Sequence, residues 1–210
     1  MLPPALAPAP AQSHGGGNPR IAVFVSGAGR TLEKLFQRID AGTLHAEIAV
    51  VVASRECRGP EIARERGVRA EVVPWRDHTR ESVARLLRSS GASLGVLAGY
   101  LHLLPIPDAY RGRVVNIHPS LLPDFGGPGM YGKRVHEAVL NSGAKQTGCT
   151  VHLCDDQYDR GPIVAQSACP VLADDTVTSL AARVFALELD LYPRAIAGLL
   201  AETTPVKSPA

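Results

Sequence analysis

One stretch decides the fold: IAVFVSGAGRT at residues 21–31. Its first five residues are all apolar, which is typical of a strand buried on both faces of a parallel sheet. Residues 26–29 are small and form a turn. A helical face follows, with apolar residues at Leu32, Leu35, Phe36 and Ile39. A buried strand, a tight turn and an amphipathic helix indicate the first unit of an alternating α/β sheet.

The alternation of strands and helices continues along the chain. Apolar runs predict strands at residues 48–53, 71–74, 94–98 and 113–117, with helices over 61–66 and 81–88. Beyond Gly148 the pattern changes, because runs at 149–154 and 163–171 flank a turn rich in Asp, Gly and Pro. We therefore predict an α/β fold with a doubly wound, mainly parallel sheet, helices on both faces, and an antiparallel or mixed extension near the C-terminal half.

The end of the chain predicts one more helix. Its apolar stripe consists of Leu180, Val184, Leu187 and Leu191. Because proline lacks the amide hydrogen of a helical bond, Pro193 is expected to end or kink this helix. The 210 residues suit a single domain, which we expect over residues 19–202. Disordered tails are expected at 1–18, where Ala, Pro and Gly dominate, and at 203–210.

Charge and cysteine content limit the possible partners. The net charge is only +2, and no run of 18 apolar residues occurs, so neither nucleic acid nor a membrane is an expected partner. The four cysteines lack both zinc-ligand spacing and the density of a disulfide scaffold, so no metal is expected. We expect free thiols, a cytoplasmic location and small-molecule substrates; the sequence leaves the oligomeric state open.

The glycine-rich turn is a candidate phosphate site. Gly29, Arg30 and Thr31 lie where a strand passes into a helix, and the free amides of a helix N-terminus favour anions. The turn is neither a dinucleotide fingerprint nor a P-loop, and Phe24 stands where a nucleophile elbow has glycine. By itself, the pattern suits a tight turn equally well.

Asn116 and His118 form a second candidate site, in the motif NIHPSLLP at residues 116–123. They are two positions apart at the end of a predicted parallel strand, so their side chains share a face where such sheets bind ligands. An amide beside an imidazole can bind a developing oxyanion while a proton is relayed. Asp159 lies in the turn between the late strands, and alone it is more typical of a turn than of a site.

Four motifs occur in a characteristic order: VSGAG at 25–29, NIHPSLLP at 116–123, GCTVH at 148–152 and DRGPIVAQ at 159–166. Together they resemble the folate-dependent formyltransferases, and their order is similar to that of the branch acting on glycinamide ribonucleotide. The resemblance covers about residues 20–200. It implies a nucleotide-binding half at about 19–115 and a folate-binding half at about 116–202, in one continuous sheet.

The resemblance also implies a reaction. The glycinamide amine would attack the formyl carbon of the co-substrate 10-formyltetrahydrofolate directly, in purine biosynthesis, without a metal. Asn116 would hold the formyl oxygen as it becomes an oxyanion, and His118 would donate a proton. Asp159 would keep His118 protonated, because an opposite charge raises the pKa of an imidazole.

Two groups of binding residues follow from the same resemblance. The ribonucleotide is expected to contact Gly29, Arg30, Thr31 and Glu188. The folate is expected to contact Arg80, Leu101, His102, Leu103, Leu104, Asp155, Asp156, Gln157 and Tyr158. We expect at least one of these leucines to belong to the core, and His102 to face the mouth of the folate slot.

Three segments depart from the family pattern. Arg30-Thr31 replaces Ser or Thr followed by Asn, His102 replaces a frequent arginine, and residues 124–133 are longer and richer in glycine than the family pattern.

Other functions are alternatives to this interpretation. Methionyl-tRNA formyltransferase and formyltetrahydrofolate hydrolase are expected to carry further domains. A formyltransferase for another amine, such as an amino-sugar nucleotide, stays open. A non-catalytic nucleotide-binding module explains the phosphate turn but leaves Asn116, His118 and Asp159 unexplained.

Overall fold

The structure, a computed structural model, describes residues 17–203. The tails predicted at 1–18 and 203–210 therefore lie almost wholly outside the described residues. A seven-stranded sheet runs through the described part. Its strands are β1 (Arg20–Val25), β2 (Glu47–Ala53), β3 (Ala70–Val72), β4 (Leu94–Leu97), β5 (Val114–His118), β6 (Gln146–Leu153) and β7 (Ile163–Pro170).

The spatial order of the strands is β3-β2-β1-β4-β5-β6-β7. The first five strands along the chain pair in parallel, and β6 and β7 extend the sheet in antiparallel fashion. This arrangement confirms the predicted α/β class and its mixed extension. The helices are α1 (Arg30–Asp40), α2 (Arg58–Glu65), α3 (Arg80–Ser90), α4 (Lys133–Ser142) and α5 (Val177–Thr203), with short 3₁₀ turns at Trp75–Asp77 and Asp108–Tyr110.

Two hydrophobic cores lie on the two faces of the sheet. Along β1, Ile21, Val23 and Val25 face one core, whereas Ala22 and Phe24 face the other, as the alternation of strand side chains requires. Helices α1, α2, α4 and α5 contribute to the first core, and α3 contributes to the second. Because both faces are covered, the strands of the parallel part are apolar along nearly their whole length.

The chain changes direction between β1 and β4. After β1 it proceeds to β2 and β3 on one side, and then returns to form β4 and β5 on the other side. The loops that follow β1 and β4 therefore diverge at the carboxyl ends of these strands. Such a divergence leaves a crevice, which is where open α/β sheets bind ligands.

Helix α5 continues through Pro193, so of the two predicted outcomes, an end or a kink, the structure contradicts the end. The lost helical hydrogen bond is outweighed by burial beyond the proline, where Ile196 and Leu199 pack into the first core. Tyr192 attaches the helix to the sheet, since its buried hydroxyl donates towards the carbonyl oxygens of Leu97 and Val115, at 3.0 and 2.9 Å. Tertiary packing thus offsets the low helix propensity of proline at this position.

Helix α4 was not predicted from the sequence. Its buried residues include Val135 and Val139, which have helical spacing, and Gly132 and Gly143 adopt positive φ at its two ends. The spacing of the two valines and the flanking glycines could have predicted a short helix from the sequence. The other predicted strands and helices occur with boundaries displaced by at most three residues.

Candidate active site

A cavity of about 640 Å³ opens at the carboxyl ends of β1, β4 and β5. Its walls come from the loops after these strands, from the segment before α4 and from the β6–β7 loop. The main lining segments are residues 27–31, 97–104, 116–119, 127–133, 154–155 and 157–159. This volume is typical of a small-molecule site.

The three predicted catalytic side chains lie at one end of this cavity. Asn116 and His118 project from β5, and Asp159 lies in the β6–β7 loop. The His118 Nδ1 atom is 3.4 Å from the Asp159 Oδ2 atom, and its Nε2 atom donates to the Phe125 carbonyl oxygen at 2.9 Å. Both ring nitrogens of His118 therefore face oxygen acceptors, an arrangement that favours a doubly protonated ring.

His152 joins the other members of this group, although it was not among the predicted site residues. It lies on β6 directly opposite Asn116. Its Nε2 atom is 3.2 Å from the Asn116 Nδ2 atom and 3.4 Å from the Asp159 Oδ1 atom. The signal in the sequence was its position in the GCTVH motif, but only the strand pairing brings it to Asn116.

The position of Asp159 depends on its close neighbours. Asp159 adopts a φ of 55°, and its Oδ2 atom accepts a hydrogen bond of 2.9 Å from the Gly127 amide. A Cβ atom on Gly126 would come within 2.5 Å of the Leu122 Cδ2 atom and 3.2 Å of the Asp159 Cβ atom. A side chain at position 126 would therefore require the Leu122 side chain to move where the turn before α4 passes over the carboxylate.

The pKa values of this group are set by opposing effects. Burial lowers the pKa of His118, while the charge of Asp159 and the Phe125 carbonyl raise it, and the overall pKa is lowered. Burial raises the pKa of Asp159, but a hydrogen bond with His152, the charge of His118 and the Gly127 amide together lower it overall. The predicted influence of Asp159 on His118 is present. The expectation of a raised overall pKa is corrected, because burial outweighs it.

A third histidine, His136, also lines the cavity and was not anticipated. It lies in the first turn of α4 and is 5% exposed. Burial lowers the pKa of His136, and the charge of His118 lowers it further. Its Nδ1 atom has no hydrogen-bond partner among residues 17–203. No sequence signal identified it, because α4 itself was not predicted.

The four residues expected to contact the ribonucleotide line another part of the cavity. Gly29, the N-cap residue of α1, adopts a φ of 73° and has no side chain that could cap the first amides of that helix. The Arg30 guanidinium carbon lies 4.3 Å from the centroid of the Phe185 ring. Burial raises the pKa of Glu188 to about 7, although the charge of Arg30 lowers it. A helix N-terminus, a cation and a protonatable carboxyl group thus share this region.

Most residues expected to contact folate also lie at the cavity. Leu101 and Leu103 are 43% and 40% exposed, whereas Leu104 is buried in the second core. The Tyr158 hydroxyl accepts a hydrogen bond of 2.9 Å from the Leu103 amide, which joins the two walls of the slot. His102 also lines the cavity. One leucine therefore serves the core and two face the open slot.

Arg80 and Asp156 are not part of the cavity lining. The Arg80 Nη2 atom is 2.7 Å from the Asp156 Oδ1 atom, and Arg111 contacts the same carboxylate at 3.0 Å. Arg80 also donates to the Ile106 carbonyl oxygen at 2.9 Å. These contacts tie the β6–β7 loop to the segment before β5, so both residues support the slot from outside.

Three further observations concern the part of the chain that the structure describes. Residues 17–203 contain no cluster of three or more His, Cys, Asp or Glu side chains that could hold a metal ion. All four cysteines are free. Within the same range, no helix has the length and apolar character needed to cross a membrane.

Comparison with known families agrees with this geometry. The family described as formyl transferase matches residues 19–196, which include the whole sheet and all the segments that line the cavity. The chain belongs to the formyl transferase family. It is therefore an enzyme of formyl transfer, and the resemblance noted in its motifs is confirmed.

Two plant relatives and one solved structure illustrate the relationship. The chain is 38% identical to "Phosphoribosylglycinamide formyltransferase, chloroplastic" of Arabidopsis thaliana, covering 90% of this chain and 68% of that protein. It is 40% identical to the protein of the same name from Vigna unguiculata, covering 87% and 61%. The crystal structure of glycinamide ribonucleotide transformylase 1 from Symbiobacterium toebii has 35% identity and a TM-score of 0.79, covering 93% of each chain. The chain thus spans about two thirds of the plant relatives and nearly all of the bacterial one.

Proposed function

We propose that this formyl transferase moves the formyl group of 10-formyltetrahydrofolate onto the amine of glycinamide ribonucleotide, a step of purine biosynthesis. The observation that carries the proposal is the convergence of Asn116, His118 and Asp159 at one end of the 640 Å³ cavity. The names of the relatives support glycinamide ribonucleotide as the acceptor. Both proposed substrates are small molecules of a size that the cavity can admit.

The proposed first step is attack of the substrate amine on the formyl carbon. A carbon–nitrogen bond forms, and the formyl oxygen becomes an oxyanion. The Asn116 amide donates a hydrogen bond to this oxygen, and a donor held in place before the reaction stabilises such charge most effectively. His152, 3.2 Å from the Asn116 Nδ2 atom, holds that amide in position.

The second step requires proton transfer from the attacking nitrogen to the leaving group. The attacking nitrogen loses a proton, N10 of the folate gains one, and the bond between the formyl carbon and N10 then breaks. His118 donates the proton to N10 and recovers one from the substrate amine. Burial and the Asp159 charge act on the pKa of His118 in opposite directions, which suits a group that must both accept and release a proton.

The substrates occupy different parts of the cavity in this proposal. The phosphate of the ribonucleotide binds the free amides at the start of α1, beside Arg30, and Glu188 contacts the rest of that substrate. The pterin lies in the slot between residues 101–104 and the β6–β7 loop. Arg80 and Asp156 stabilise that loop through their ion pair.

The cellular location stays a prediction. A cytoplasmic location is supported by the four free cysteines, which agree with a reducing environment. The plant relatives are named as chloroplastic proteins.

The direct test is to mix the purified protein with 10-formyltetrahydrofolate and glycinamide ribonucleotide and to follow the formation of tetrahydrofolate. We expect turnover that depends on both substrates, and a mixture without the ribonucleotide is the control. Absence of transfer, or transfer to an amino-sugar nucleotide alone, would contradict the proposal. Product release without the ribonucleotide would instead indicate a hydrolase.

A further inference from the structure

His78 is a buried histidine that none of the proposed catalytic steps uses. It follows the 3₁₀ turn at Trp75–Asp77 and is 5% exposed. Its Nδ1 atom is 2.5 Å from the Tyr100 hydroxyl oxygen, and the two rings are stacked with centroids 5.8 Å apart and planes 24° from parallel. Its Nε2 atom has no hydrogen-bond partner within residues 17–203. The Tyr100 hydroxyl is thus the polar contact of this ring.

Burial determines which of the two side chains donates the hydrogen bond. It lowers the pKa of His78 and raises the pKa of Tyr100, so it favours the uncharged form of both. An uncharged imidazole has one nitrogen that accepts a hydrogen bond, and a phenol has one hydrogen to donate. The Tyr100 hydroxyl therefore donates to the Nδ1 atom of His78. Without this acceptor the hydroxyl would be buried and unpaired, which costs more than the hydrogen bond itself contributes.

Tyr100 connects His78 to the slot wall, residues 101–104. Tyr100 is 7% exposed and lines the cavity directly before this wall. Its ring meets the His102 ring edge-on, with centroids 5.7 Å apart. The next amide, that of Leu101, donates to the Ser26 hydroxyl oxygen at 3.2 Å. A displacement of the Tyr100 ring would therefore move His102 and the beginning of the slot wall.

We propose that His78 is a positioning residue for the formyl donor: its hydrogen bond holds Tyr100, and Tyr100 holds the slot wall against which the pterin packs. This inference rests on the proposed function, in which the pterin lies between the slot wall and the β6–β7 loop. His78 lines neither the 640 Å³ cavity nor a neighbouring recess of about 570 Å³ beside Trp75. Its loss should therefore weaken binding of the donor without slowing proton transfer at His118.

The test measures kcat and the KM for each substrate in two variants of His78. His78→Leu leaves the Tyr100 hydroxyl without an acceptor. The KM for 10-formyltetrahydrofolate should then rise roughly threefold to tenfold, as expected for one buried hydrogen bond. The KM for the ribonucleotide and kcat should stay unchanged. His78→Asn should retain the wild-type KM for the donor, because its Oδ1 atom can accept the same hydrogen bond.

Tyr110→Phe is the matched control. Tyr110 belongs to the same core as Tyr100, and its hydroxyl donates to the Ala92 carbonyl oxygen at 3.3 Å. It lines neither cavity, so loss of this hydroxyl should leave the KM for the donor unchanged. A rise equal to that in His78→Leu would show that any buried hydroxyl of this core affects the slot, and would overturn the inference.

A compensating substitution separates the hydrogen bond from general damage to the core. In the double variant His78→Leu/Tyr100→Phe no hydroxyl is left unpaired, so the KM for the donor should return towards the wild-type value. An unchanged KM in His78→Leu, or a double variant no better than the single one, would overturn the inference. If His78→Leu does not fold, Tyr100→Phe should restore folding, and a double variant that stays unfolded would overturn it too. Absence of transfer by the wild-type protein would instead contradict the proposed function, and the affinity of the same variants for tetrahydrofolate, measured by calorimetry, would then test the slot wall.

Discussion

His118 and His102 line the same cavity, yet their charged neighbours have opposite signs. Burial lowers the pKa of both rings, but the Asp159 carboxylate opposes this effect at His118, whereas the Arg55 guanidinium adds to it at His102. His118 lies between two oxygen acceptors, and His102 stacks on Trp75. The neighbouring charges, rather than the residue type, thus distinguish the surroundings of the two histidines.

The two regions also differ in their exposure to water. His118 and Asp159 are almost completely buried, so their interaction is poorly screened. Arg55 and Arg76, which lie near His102 at the open end of the cavity, are exposed, and a single exposed ionic contact contributes at most about 1 kcal/mol. We therefore expect large effects from changes at the buried end of the cavity and small ones at its open end.

The largest expected effect comes from His118→Ala. Loss of a group that transfers a proton typically lowers turnover by roughly 10²–10⁴-fold. The measurement is kcat with both substrates saturating. His45→Ala is the matched control, since His45 is exposed and lines neither cavity. A loss of less than tenfold would remove His118 from the proposed mechanism.

Asp159→Asn tests the role of the neighbouring charge. Without the carboxylate, less charge opposes the effect of burial, so the pKa of His118 should fall further. An NMR titration of the His118 ring measures this shift, with the exposed Asp174→Asn as control. A raised or unchanged pKa would show that Asp159 does not act on His118 through its charge.

The same substitution should change the dependence of stability on pH. Because the pKa of His118 falls further without the carboxylate, the folded variant resists protonation of this ring, whereas the unfolded chain gains a proton below about pH 6.5. Asp159→Asn should therefore lose more stability than the wild type as the pH falls from 7 to 5. Urea unfolding at pH 7 and pH 5 measures the difference, and a smaller acid loss in the variant than in the wild type would contradict it.

Gly126→Ala tests the turn that passes over Asp159. The added Cβ atom would lie 2.5 Å from the Leu122 Cδ2 atom, so the free energy of unfolding should fall by roughly 1–3 kcal/mol. Gly198→Ala is the control with the opposite sign. Its Cβ atom meets nothing within 4 Å in α5, and alanine should stabilise the helix by roughly 0.5–1 kcal/mol. Equal unfolding curves for the Gly126 variant and the wild type would contradict the close packing of this turn.

The smallest expected effects concern Arg30 and Glu188. The pKa of Glu188 is about 7, so its charge changes between pH 6 and pH 8, and the KM for the ribonucleotide should change over this range. Glu188→Gln should abolish that dependence. Arg30→Ala should shift the pH dependence of this KM to higher pH, because the Arg30 charge lowers the pKa of Glu188. Each change in KM should be about fivefold or less, and an unaltered pH dependence in both variants would contradict the coupling.

The sequence by itself determined the local elements and the class of enzyme. The apolar run of β1, the small residues after it and the helical face of α1 are encoded by spacing along a short stretch, so their pattern is visible without a structure. The order of the four motifs likewise predicted the formyl transferase family. Helix α4 was overlooked although its spacing was present, and α5 does not end at Pro193 because burial along the helix outweighs one lost hydrogen bond.

The tertiary structure alone decided how distant residues meet. His152 reaches Asn116 only through the antiparallel pairing of β5 and β6, and His136 faces the cavity only because α4 packs beside it. The ion pair of Arg80 with Asp156 joins residues 76 positions apart. The overall pKa of His118 likewise depends on burial, which arises when the sheet, the turn before α4 and the β6–β7 loop close around it. Periodicity along a chain records which face of an element is apolar, but long-range packing determines which faces come together.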